Sequence, residues 1–108
     1  MPSLHLLNQE GPQFPQPYQV ASDVMESGHW RVSIARAEAV IGHPVHFHRR
    51  KAEAAFLSGT ITGYRREPYI TEKGRTSTRT IFVFSPQPET HATTDVTGWT
   101  LAGVKFVP

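Results

Sequence analysis

Read for its alternation of apolar and polar positions, the chain breaks into short segments of period two, the spacing at which successive side chains of a strand face opposite ways. His29-Trp30-Arg31-Val32-Ser33-Ile34-Ala35-Arg36 alternates in this manner and predicts a half-buried strand. Ala54-Ala55-Phe56-Leu57, then Gly59, then Thr60-Ile61-Thr62-Gly63-Tyr64-Arg65 predicts two strands joined through a glycine turn. A run rich in Thr, Ile, Phe and Val spans Thr76 to Ser85 and stops at Pro86, and Trp99 to Val107 predicts a last strand after a turn at Thr97-Gly98. One passage invites a helix, Ile34-Ala35-Arg36-Ala37-Glu38-Ala39-Val40. Its apolar positions do not hold a 3.6-residue period, and Gly42 and Pro44 follow at once, so no helix is assigned there. Many short strands at close spacing predict an all-β domain, a small antiparallel barrel or sandwich, with Phe56, Phe82, Phe84, Trp99 and Leu101 in its core.

The start of the chain has a different texture. Pro2, Pro12, Pro15 and Pro17 fall within residues 1–19 and predict an extended, proline-rich arm ahead of a single domain over 20–108. An arm of this kind would cover the edge strand of a second copy, so a homodimer is expected.

Composition narrows the choices by exclusion. At 108 residues, with 38% apolar and 19% charged, the chain suits one globular domain. With no cysteine there is no disulfide framework, thiolate zinc site, iron–sulfur cluster or cysteine nucleophile. No apolar run approaches the roughly 20 residues of a membrane-spanning helix, and MPSLHLLNQE lacks the basic and apolar regions of a secretory signal, so a cytoplasmic location is expected. Eleven Lys plus Arg against nine Asp plus Glu leave a net charge of +2. Arg31, Arg36, Arg49-Arg50-Lys51, Arg65-Arg66, Lys73, Arg75, Arg79 and Lys105 are scattered, with no basic stripe, so neither a nucleic-acid nor a membrane partner is expected.

Candidate chemistry is concentrated in Gly42-His43-Pro44-Val45-His46-Phe47-His48-Arg49-Arg50-Lys51-Ala52-Glu53. On a strand, His46 and His48 point to the same side, and Glu53 lies near enough across a short turn to add a carboxylate. His91, 38 residues beyond Glu53, is a fourth candidate beside the turn-rich Ser85-Pro86-Gln87-Pro88. Three neutral imidazoles and one carboxylate suit a first-row divalent ion and leave positions open for water or substrate. An isolated H-x-H triplet, by contrast, arises readily by chance. His43 reads as a surface group, and His5 and His29, outside the pattern, read as solvated. Arg49-Arg50-Lys51 reads as a solvated loop, or else as a positive field that focuses an anionic substrate toward the metal. Asp95 is a candidate to orient a ligand histidine.

The ordered set resembles the two motifs of the cupin superfamily, G-x5-H-x-H-x3–4-E-x6-G and G-x5-P-x-G-x2-H-x3-N. His46, His48 and Glu53 fall on the ligands of the first, and Pro86 and His91 on the proline and histidine of the second. Val40, Thr80 and Pro88 stand where the motifs have glycine, Asp95 where they have asparagine, and Gly59 comes one residue early. The resemblance, over roughly residues 30–107, is to small single-domain members. It implies a jelly-roll barrel (a double-stranded β-helix) and a metal site of His46, His48, Glu53 and His91 holding iron, manganese, nickel or zinc. It further implies a metal-dependent enzyme acting on a small molecule, with dioxygenase chemistry the leading expectation, and the positive charge left over at such a site by a single glutamate would favour an anionic one. Metal-assisted isomerase or lyase chemistry and a non-catalytic sensor of a small molecule or metal are the alternatives.

Overall fold

The computed structural model of the chain describes residues 2–9, 16–88 and 92–108. Its elements are β1 (Ser3–Leu7), β2 (Tyr18–Ala21), β3 (Val24–Trp30), α1 (Ile34–Ala39), β4 (Pro44–His48), β5 (Leu57–Ile70), β6 (Thr76–Gln87) and β7 (Val104–Val107). The strands form one seven-stranded sheet in the order β2-β3-β6-β5-β4-β1-β7. Neighbours are antiparallel except β1 and β4, which run parallel. The all-β expectation holds.

Several local expectations are corrected. Within the arm expected over residues 1–19, Ser3–Leu7 is a strand flanked on both sides, by β4 and β7, and Leu4 and Leu6 are fully buried. Ser-Leu-His-Leu-Leu carries the period-two pattern, and burial of two leucines outweighs the proline texture around it. The strand expected over 29–36 ends at Trp30, and Ile34–Ala39 is helical. Ser33 caps the helix, its side-chain oxygen accepting from the Arg36 backbone N–H, and Gly42 leaves the following turn at φ +84°. Ala37 and Val40 go into the core while Ile34 stays half exposed, so three-residue spacing is enough to bury one short face.

Gly59 makes no turn. β5 runs straight through it beside β6, and a Cβ at that position would lie 2.5 Å from the Phe84 ring and 2.6 Å from the Ser85 carbonyl. The last strand begins only at Val104, and Leu101, expected in the core, is fully exposed.

The core lies on one face of the sheet. Leu4 and Leu6 of β1 pair with Val45 and Phe47 of β4 and with Phe106 and Val104 of β7, so the apolar halves of three strands coincide. The Phe47 and Phe84 rings meet at a tilt, 5.2 Å apart, with Ile61, Phe82 and Trp30 around them and Ala37 of α1 and its C-cap Val40 closing the layer. Each fully buried side chain of this size contributes roughly 1.5–3 kcal/mol.

The close approach at Gly59 gives a direct check. Gly59→Ala should cost about 1–3 kcal/mol, because its methyl meets backbone as well as ring. Gly63→Ala, where nothing lies within 4 Å, should stay within about 1 kcal/mol of wild type. Urea denaturation of the two variants reads the difference.

Candidate functional site

The same register that gathers the core gathers a second, polar row on the opposite face. His5 pairs with Lys105 on one side and His46 on the other, and His46 pairs in turn with Ser58. Lys105, His5, His46 and Ser58 thus line up across four strands, with His48 two residues along from His46. This face is largely withdrawn from solvent, with His46 half-buried. His5 is 4%, His48 0%, Ser58 4% and Lys105 8% exposed. The segments around 49–56 and 92–103 close over it: Ala55 N–H bonds the Ala92 carbonyl at 2.8 Å, and Trp99 packs edge-on against His48 at 5.8 Å.

One acceptor orders the cluster. The Glu53 carbonyl lies 2.9 Å from His48 Nδ1 and can only accept, so Nδ1 carries the proton and His48 Nε2 offers a lone pair. His5 Nδ1 must then donate across 2.8 Å to His48 Nε2, leaving His5 Nε2 to accept from the Ser3 hydroxyl at 3.2 Å. His46 Nδ1 bonds Ser58 Oγ at 2.6 Å.

Charge is unwelcome in this layer. Burial, then the imidazoles of His46 and His48, then the Lys105 ammonium push His5 down to about 4. Burial first, then His48, lowers His46. Burial and Lys105 lower His48, opposed by its bond to the Glu53 carbonyl. All three are neutral donors at pH 7. A base held near 4 takes protons poorly at that pH, so the Ser3–His5–His48 chain is a fixed hydrogen-bond relay rather than an activated nucleophile. Among the described residues the charge within the layer is that of Lys105, whose Nζ donates to the Asp95 carbonyl at 2.8 Å. Trp99 Nε1 is buried beside the imidazoles with no partner among the described residues. An ammonium and an orphaned N–H at one site favour a ligand bearing oxygen acceptors.

The sequence-level candidates divide. His46 and His48 share a face, as expected. Glu53 is present through its carbonyl, while its carboxylate is half exposed, 3.9 Å from Arg50. His91 lies outside the described residues. His5, expected to be solvated, is at the centre of the cluster, its ring 5.0 Å from those of both His46 and His48. The signal available for it was the Leu-His-Leu alternation of β1. Asp95 meets Lys105 through its carbonyl, and Arg49 is engaged by the Asn8 carbonyl, Gln16 and the Phe56 ring.

Neutral imidazoles are the right donors for a first-row divalent ion. Among the described residues, however, no three His, Asp or Glu groups form a set poised to hold one, since His48 Nε2 accepts from His5 and the Glu53 carboxylate turns outward. The donors fit a metal in kind without forming a closed shell. No protein-family model, curated protein or solved structure matches the chain.

The neutral cluster makes stability depend on pH. In the unfolded chain His5 titrates near its ordinary 6.5, in the folded protein near 4, so the unfolded state binds more protons between those values. Stability of the metal-free protein should therefore be full above pH 6.5 and fall as pH drops to 4, by an amount on the order of 3 kcal/mol from His5 alone. Denaturant melts across this window check it, and His5→Gln should flatten the slope.

Proposed function

We propose that the chain is a metal-binding protein of cupin type, a jelly-roll barrel whose buried imidazoles hold a divalent transition ion (iron, manganese, nickel or zinc) and present it to a small anionic molecule. The observation that carries this reading is the juxtaposition of three neutral imidazoles, the buried His5 and His48 and the half-buried His46, with the Lys105 ammonium in one polar layer. His46 and His48 would hold the ion, with the Glu53 carboxylate and His91 as the further donors implied by the cupin resemblance, and ligation at His48 Nε2 would displace the hydrogen bond it accepts from His5. When bound, such an ion supplies a Lewis acid or an oxygen-binding centre.

The chain's own groups do the rest. Lys105 draws in and orients the anionic end of the substrate, Trp99 Nε1 offers it a hydrogen bond, and the closed segments over the polar face exclude water. Dioxygenase chemistry is the leading subtype of this proposal. Isomerase or lyase chemistry and ligand sensing without turnover are the alternatives, and oxygen uptake with candidate substrates separates the first from the others. A homodimer in the cytoplasm belongs to the same reading.

The test is metal content, by elemental analysis of protein purified without added metal, together with thermal melts with and without chelator. Wild type should carry close to one equivalent and lose several degrees on chelation, because a ligand that binds only the folded state stabilises it by mass action. His46→Ala and His48→Ala should each lower affinity by orders of magnitude, Glu53→Gln should weaken it with the fold intact, and His29→Ala should leave it unchanged. Equal metal content and equal chelator response in wild type and His48→Ala would overturn the metal site and the enzyme reading with it.

A further inference from the structure

Three surface cavities follow one another through shared arginines. The first, about 470 Å3, is bordered by Arg31 and Arg36 with the hydroxyls of Ser33 and Thr100. The second, about 300 Å3, shares Arg31 and adds Arg79. The third, about 440 Å3, shares Arg79 and adds Lys73 and Arg75. Five cations thus border one groove, and no carboxylate lies within 4.0 Å of any of them among the described residues. Glu72 is the one acidic residue in the groove's lining there. His5, His46 and His48 take no part in it.

The middle of the groove lacks a hydrogen-bond acceptor among the described residues, although the Arg79 guanidinium lies over the Tyr69 ring at 5.0 Å. Arg79 Nε is buried without a hydrogen bond, and its guanidinium is held down from its ordinary range by burial and by the neighbouring Arg31. Two guanidiniums set close together and one buried N–H left unpaired are costly until an anion sits between them. A lone anion would satisfy Arg31 and Arg79, yet the cations continue to Arg36 on one side and to Lys73 and Arg75 on the other. Leu101, fully exposed in the middle cavity, adds apolar surface against which a flat ring can lie. A row of cations with interleaved apolar surface matches a chain of phosphates carrying bases.

We propose that this groove binds single-stranded nucleic acid, its phosphodiester backbone running past Arg36, Arg31, Arg79 and Arg75. The basic residues that look scattered along the sequence, and gave no reason to expect such a partner, are brought together only by the fold.

Fluorescence anisotropy of a labelled mixed-sequence strand of about 12 nucleotides tests it, at salt from about 50 to about 200 mM. Four phosphate contacts should give a log–log salt slope of about −3. Arg31→Glu and Arg75→Glu, both at exposed positions, should each weaken binding at least about tenfold and shallow the slope by about 1, with unchanged thermal melts. His46→Ala, outside the groove, should bind like wild type. No binding at the lowest salt, or wild-type affinity in both charge-reversal variants, overturns the proposal. A mononucleotide or inorganic phosphate that binds as tightly as the strand also overturns it, in favour of a pocket for a single anion.

Discussion

The placement of β1 between β4 and β7 is the constraint on which both faces of the sheet depend. Its register sets Leu4 and Leu6 against the core residues of its neighbours and sets His5 between Lys105 and His46. Because strand side chains alternate, a slip of one residue would send His5 into the apolar layer and both leucines onto the polar one. The cost of burying an imidazole among Phe47, Val45 and Val104 makes that slip prohibitive. Core packing and the site are therefore secured by the same pairing.

The polar face is unusual in being buried. Imidazoles out of water must be neutral and hydrogen-bonded, and the chain of bonds that begins at the Glu53 carbonyl meets both demands at once. It fixes the tautomers of His48 and His5 without using a single charged acceptor. Among the described residues Trp99 Nε1 has no acceptor, and a ligand bearing oxygen acceptors, as the proposed function requires, would satisfy it. The stability that this layer gives up to acid and the chemistry it offers at neutral pH have one origin, the depressed basicity of buried imidazole.

The exposed groove answers to different physics. Its cations come from the residue after β3, from α1, from β6 and from the turn between β5 and β6, and the pairing of Trp30 with Thr80 sets the end of β3 beside Arg79. Charge repulsion that would be dispersed along an extended chain is concentrated there. The two sites share the sheet as scaffold and little else, which leaves the buried cluster and the groove free to act on different ligands.

The sequence by itself determined the β class, the placing of His46 and His48 on one side of a strand, and the start of β6, because each follows from period-two alternation over a few adjacent residues. At its far end β6 continues through Pro86 to Gln87 rather than stopping at the proline. It did not reveal α1, since a six-residue helix buries too little to show a 3.6-residue period, and the Ser33 cap and Gly42 were the only local marks. Nor did it reveal that Gly59 is demanded by the approach of Phe84 and Ser85 rather than by a turn. His5 joining residues 41 and 43 positions away, the outward turn of the Glu53 carboxylate and the assembly of the basic groove were decided by tertiary structure alone. All three rest on which strand pairs with which, a choice made by the burial of apolar faces summed over the whole sheet rather than by any local run of residues.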